Sequence, residues 1–161
     1  MTRGGPEAAA EDAVWHAVSV ALPPAAAFRL FVEGFGRWWP REFTWSGDSL
    51  TQIGIEPAPG GACFELGPYQ FRLDWGRVVL WDPPRALGFT WQINPDRTPQ
   101  PDPHRASAVE VGFHAEGART RVSLRHHGFA AHGEDGASYR EEMGSAMGWP
   151  LLLERFARLA G

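Results

Sequence analysis

Few side chains in this chain of 161 residues are placed for reactions, and His126 is the foremost of them. It lies near the end of a stretch, 119–127, that alternates with period two. Thr120, Val122, Leu124 and His126 share one face, and Arg119, Arg121, Ser123, Arg125 and His127 share the other. Alternation puts His126 on the apolar face, where an imidazole can act as a general acid or base or orient a ligand. Spacing fixes no second catalytic group beside it, so a core histidine with satisfied nitrogens is the simpler reading. His126, His127 and His132 are close in sequence, but successive strand residues point to opposite sides. With no cysteine pair and no His-x-x-x-His spacing, no metal site is expected. Cys63 is the lone cysteine and reads as a small buried hydrophobe. There is no nucleophile elbow, phosphate loop or zinc motif, so no cofactor is expected.

The aromatic set is the second signal. Eight Trp, ten Phe and two Tyr are enough either to fill a core or to wall a ligand cavity. The residues expected to line such a cavity are Trp38, Trp39, Phe64, Phe71, Trp75, Trp91, Phe113, His126, Met143, Met147 and Trp149. Trp38 and Trp39 are placed at its mouth, because two bulky neighbours on one short element should not both point inward. Met143 and Met147 would supply an adaptable wall. Gly144 and Gly148, four apart, would share a helix face and allow close approach or leave room. Glu65, Asp74, Arg77, Tyr69, Tyr139 and Glu142 are candidate polar partners in the cavity. Taken singly, each is as well read as a surface residue.

The elements that must carry these residues follow from periodicity. Ala13 to Leu22 alternates and reads as a strand. Pro23-Pro24 ends it and opens a short helix over 25–33, since a proline is tolerated in the first turn. Trp38-Trp39-Pro40 falls in a second short helix or turn. Period two then returns over 49–56, 62–66, 69–81 and 87–93. Gly76 inside the third of these predicts a bulge or a close backbone approach. The proline-rich stretch 94–105 reads as a long loop. A hairpin follows, 106–114 and 119–127. The segment 137–160 reads as one long helix kinked near Gly148 by Pro150. Strands set apart from helices predict an α+β fold, with a curved antiparallel sheet of about seven strands around the C-terminal helix.

Composition narrows the class without naming an activity. Hydrophobic residues make up 43% and charged residues 21%, which is ordinary for a globular domain. The length suits one domain, expected over 13–161, after a flexible segment 1–12. A net charge of −4 gives no basic footprint for nucleic acid, and no apolar run is long enough for a membrane span. A single cysteine and no apolar leader point to a cytoplasmic protein.

Several segments together resemble one family. They are Phe28 to Phe31, Trp38-Trp39-Pro40, Gly60-Gly61, Trp75-Gly76-Arg77-Val78 and Asp82-Pro83-Pro84. Phe89-Thr90-Trp91, residues 107–111, residues 120–126, Gly128-Phe129 and Gly148-Trp149-Pro150 complete the pattern. Their order and spacing, over about residues 14–160, resemble the activator of heat-shock protein 90 ATPase homologue family. That family is a branch of the START-like (SRPBCC) helix-grip superfamily. The resemblance implies a cavity for a small hydrophobic or amphipathic molecule between sheet and C-terminal helix. A minority of the superfamily catalyse cyclisation or dehydration, which would make His126 the acid/base. The family's eponymous co-chaperones carry a further N-terminal domain that contributes to engaging the chaperone. Only some 13 residues precede the first strand here, so a protein partner is the weaker implication.

Overall fold

The computed structural model describes residues 12–161; the expected flexible segment, apart from Asp12, lies outside the described residues. The strands are β1 (Ala13–Val20), β2 (Gln52–Ile55), β3 (Ala62–Leu66), β4 (Arg72–Asp82), β5 (Ala86–Trp91), β6 (Ser107–Glu116) and β7 (Arg119–His127). The helices are α1 (Pro24–Glu33), α2 (Phe35–Trp38), α3 (Gly136–Met143) and α4 (Trp149–Ala160). All seven strands form one antiparallel sheet in the order β1-β7-β6-β5-β4-β3-β2. The first strand thus closes onto the last, and the sheet curls around the helices. This is the α+β helix-grip fold expected from the sequence.

Alternation sets the faces as expected. Val109, Val111 and Phe113 of β6, with Val122, Leu124 and His126 of β7, are buried on the concave side. In α4, Leu152, Leu153 and Phe156 are buried in the same core. A cluster of tilted and edge-to-face aromatics joins the layers: Phe31 lies against Trp38, Phe113 and Phe156 with ring centroids 4.8, 5.8 and 5.3 Å away. Pairs at such separations stabilise a core beyond the area they bury. Gly76 sits where the β3–β4 register shifts: Cys63 pairs Gly76, while Phe64 pairs Asp74. Trp75 is the extra residue of that bulge, and its indole is buried.

Three expectations change. The long C-terminal helix is two helices, separated by residues 144–148. Gly148 approaches so closely that a Cβ there would lie 2.2 Å from the Met143 carbonyl oxygen. Gly144 and Gly148 therefore share no helix face, and Pro150 starts α4 rather than kinking a continuous helix. The strand expected from residue 69 begins at Arg72, because Tyr69 and Gln70 have positive φ and form a turn. The strand expected from residue 49 begins at Gln52, after a one-turn helical segment at Gly47–Ser49.

Candidate functional site

A cavity of about 420 Å³ opens at one end of the sheet. Its inner wall is built by Trp39, Trp75, Trp91, Ile53, Ile93, Met143 and Leu152. Residues 42–45, after α2, close one side; Arg97 of the 94–105 loop closes another; Glu142, Ser145, Met147 and Gly148 close the third. The helix break is therefore what opens the site: a continuous helix would carry residues 144–148 along the sheet instead of out to the rim.

Stacking fixes the wall. Trp39 packs parallel to Phe35 at 4.9 Å and to Trp75 at 6.3 Å, with interplanar angles of 21° and 16°. Trp91 holds its orientation by donating Nε1–H to the Tyr139 hydroxyl at 2.7 Å. That hydroxyl donates to the Ile93 carbonyl at 2.9 Å. Burial pushes the Tyr139 phenol up to about 12, so it remains a hydroxyl donor at neutral pH.

The rim is latched by polar contacts. The Trp45 indole donates Nε1–H to the Arg97 carbonyl at 2.7 Å, tying the 42–45 segment to the proline-rich loop. Arg97 has φ of 71° and reaches Glu142 at 3.4 Å. Its guanidinium lies 5.7 Å from the Tyr139 ring centroid. Beneath, the Glu65 carboxylate accepts the backbone N–H groups of Trp45 at 3.2 Å and Ser46 at 2.7 Å. Glu65 is wholly buried and forms part of the cavity wall.

Of the residues expected to line a cavity, Trp39, Trp75, Trp91, Met143 and Met147 come together around it. The others lie elsewhere. Trp38 turns into the core, where its Nε1–H donates to the Phe31 carbonyl at 3.3 Å. Neighbouring Trp38 and Trp39 thus both point inward, because Trp39 leaves the helix into extended backbone and the two rings diverge by 71°. The mouth belongs instead to Phe43, Trp45 and Met147. Phe64 faces away from Glu65 by strand alternation and lies under the Arg72 guanidinium. Phe71 follows the 69–70 turn and is partly exposed. Phe113 packs against Phe28 and Phe31 on the far side of the helices.

His126 and Trp149 are buried behind the cavity wall rather than on it. Trp149 donates Nε1–H to Nδ1 of His126 at 2.9 Å, and His126 Nε2 lies 2.7 Å from Ser107 Oγ. Ser107 Oγ in turn lies 2.8 Å from His132 Nε2. Burial holds the His126 imidazole well below its usual range, with both neighbouring histidines adding to the effect. With both nitrogens engaged inside the core, it has no open path to a cavity ligand.

Among the polar candidates, Tyr69 is fully exposed, and Asp74 and Arg77 form an exposed pair at 3.8 Å. Glu65 and Glu142 are at the site. Phe43 and Trp45 were missed by sequence reasoning. Their signal was present, since two aromatics in an irregular stretch between Pro40 and Gly47 have no periodic element to bury them. Among the described residues, no group of three His, Cys, Asp or Glu side chains could hold a metal ion. No helix among them is long and apolar enough to cross a membrane.

A curled antiparallel sheet, a helix in its grip and an aromatic cavity at the open end define a START-like helix-grip protein. The family model for activator of Hsp90 ATPase homolog 1-like proteins matches residues 21–161, and the chain belongs to that family. No curated protein matches the chain. Among solved structures it is similar to Txn09, an anthrahydroquino-gamma-pyrone synthase, with 30% identity and a TM-score of 0.64 over 92% of this chain and 98% of that one. It is also similar to CalC, a self-sacrificing resistance protein from Micromonospora echinospora, with 28% identity and a TM-score of 0.62 over 93% and 95%. A protein from Nitrosomonas europaea, NE0264, shares the fold at 15% identity, with a TM-score of 0.65 over 94% and 95%.

Proposed function

We propose that this protein binds a small hydrophobic or amphipathic molecule in the cavity bounded by the sheet, the 42–45 segment and the 144–148 break. The observation that carries this is the cavity of about 420 Å³ walled by Trp39, Trp75 and Trp91. A concave, mostly apolar space with a few polar groups at its edge is the usual form of a small-molecule site. Native mass spectrometry of freshly purified protein, with a denatured control, tests for a copurifying ligand. Titration with an uncharged aromatic such as acridine, followed by tryptophan quenching, tests the empty site. Saturable one-to-one quenching supports the reading; no excess mass and no saturable quenching together reject it.

Catalysis in the same cavity is the second reading, favoured by the 30% identity to a protein named as a synthase. Acid/base work in that case falls to Glu65, the buried carboxylate in the wall, and not to His126, which lies in the core. Turnover of an aromatic polyketide by the wild type and its loss in Glu65→Gln, with binding retained, is the result this reading requires.

A further inference from the structure

Glu65 is a buried carboxylate without a counter-ion among the described residues. It is 0% exposed. Among the described residues no cationic side chain lies within 4.0 Å of its oxygens. Its only polar contacts there are the backbone N–H groups of Trp45 and Ser46. Isolating a carboxylate in this way is costly, and buried charges are normally paired. This one forms part of the cavity wall, behind the backbone of Trp45 and Ser46, so a cation in the cavity would be attracted to it across a thin, poorly screening layer.

The rest of the lining points the same way. Indole faces carry negative quadrupole potential and attract cations, and Trp39, Trp45, Trp75 and Trp91 all contribute to the wall. Glu42 and Glu142 add carboxylates at the rim. Among the described residues Arg97 is the sole cation of the lining, and it is already paired with Glu142 at 3.4 Å. The lining is therefore net negative and aromatic. It would repel a fatty acid or any other anionic amphiphile.

We infer that the cavity selects a flat aromatic molecule bearing a positively charged amine, whose charge is received by Glu65 with Glu42 and Glu142 at the rim. This rests on the proposed binding function and specifies the ligand class. Three probes with one ring system separate the two. Acridine is uncharged at neutral pH, aminoacridine (the 9-amino isomer) is a cation and acridine carboxylate an anion. Calorimetric titration should rank aminoacridine first, roughly tenfold tighter than acridine, with acridine carboxylate weakest. Glu65→Gln keeps the shape and an acceptor oxygen, and should bring aminoacridine to within about twofold of acridine. If that variant does not fold, Glu42→Gln combined with Glu142→Gln, both on the exposed rim, should narrow the preference instead. Binding of all three probes without a cation preference overturns the inference and leaves the cavity function standing. So does a folded Glu65→Gln protein that keeps the full preference. Failure of every probe to bind overturns the inference, and together with the absence of a copurifying mass it overturns the binding function as well.

Discussion

The indole N–H of Trp149 points at Nδ1 of His126 from 2.9 Å, and this one bond settles the protonation of a buried chain of side chains. An indole nitrogen only donates, so Nδ1 must carry a lone pair and the proton of the neutral ring must sit on Nε2. Nε2–H then donates to Ser107 Oγ, and the serine hydroxyl donates onward to Nε2 of His132. A proton added to His126 would have to face the Trp149 N–H. The relay is a structural brace between β6, β7 and α4.

A pH dependence of stability follows with a definite sign. His126 is held well below its usual value of 6.5 in the folded protein, and His127 and His132 are shifted the same way by burial. The unfolded chain therefore binds more protons than the folded one once pH falls below about 6.5. Stability should be level above that point and decline below it, by up to about 1.4 kcal/mol per pH unit for His126. Urea unfolding between about pH 7.5 and about pH 5 checks this. In parallel, nitrogen NMR should find the Nε2–H form of His126 throughout that range. A flat profile, or an Nδ1–H form, would contradict the relay.

Met147 offers a way to close the mouth without touching the core. It is 66% exposed, yet its side chain forms part of the cavity rim. Met147→Trp should add bulk across the opening and weaken acridine binding by roughly tenfold or more. Unfolding stability should change by less than about 0.5 kcal/mol, as for other surface substitutions. Arg121→Ala, on the outer face of β7, should leave both quantities unchanged. Equal losses from the two variants would mean that acridine binds outside the cavity.

How much of this was legible in the sequence depends on the periodicity of each segment. β6 and β7 alternate strictly, so their inner faces, and the burial of His126, could be read directly. Gly76 announced its bulge, because an interior glycine in a strand marks a place where a side chain does not fit. The cavity was harder. Trp38 and Trp39 look equivalent in sequence, and only the exit from α2 into extended backbone sends one to the core and the other to the wall. The rim comes from residues 42–45, 97 and 142–148, which have no common period and meet only through the tertiary fold. The helix break was hidden because Met143 and Met147 preserve helical spacing across a segment that is not helical. The helix ends at Met143 with Gly144 as its cap, and the chain folds back so that Gly148 lies against the Met143 carbonyl, a contact that spacing does not reveal.

That contact makes Gly148 and Gly144 a discriminating pair. A Cβ at Gly148 would meet the Met143 carbonyl oxygen at 2.2 Å and the Glu142 carbonyl oxygen at 2.7 Å, both backbone atoms. At Gly144 the nearest atom is a Val14 methyl at 3.4 Å, an ordinary contact. Gly148→Ala should cost about 2 kcal/mol or more in urea unfolding, and Gly144→Ala less than about 1 kcal/mol. Because relief at 148 must move the 144–148 segment, Gly148→Ala should also weaken acridine binding. Equal costs at the two positions would place the constraint elsewhere in the α3–α4 connection.

Gly76 ties the sheet to the site most directly. A side chain there would bring Cβ to 2.3 Å from the Thr90 carbonyl oxygen on β5, with Cys63 at 3.3 Å on the other side. Neither neighbour can yield easily, since Thr90 is in a paired strand and Cys63 is wholly buried. The strand at Gly76 would have to bend away, and Trp75 would be carried with it. Trp75 lies against Trp39, Phe89 and Trp91, with ring centroids 6.3, 5.9 and 5.8 Å away, so its displacement disturbs the inner wall. Gly76→Ala should therefore lose about 2 kcal/mol or more of stability. The fraction that stays folded should show altered tryptophan emission and weaker acridine binding. A destabilised variant that binds acridine with full affinity would show that the wall does not depend on the bulge. A variant of full stability would show that β4 and β5 can separate at this point without cost.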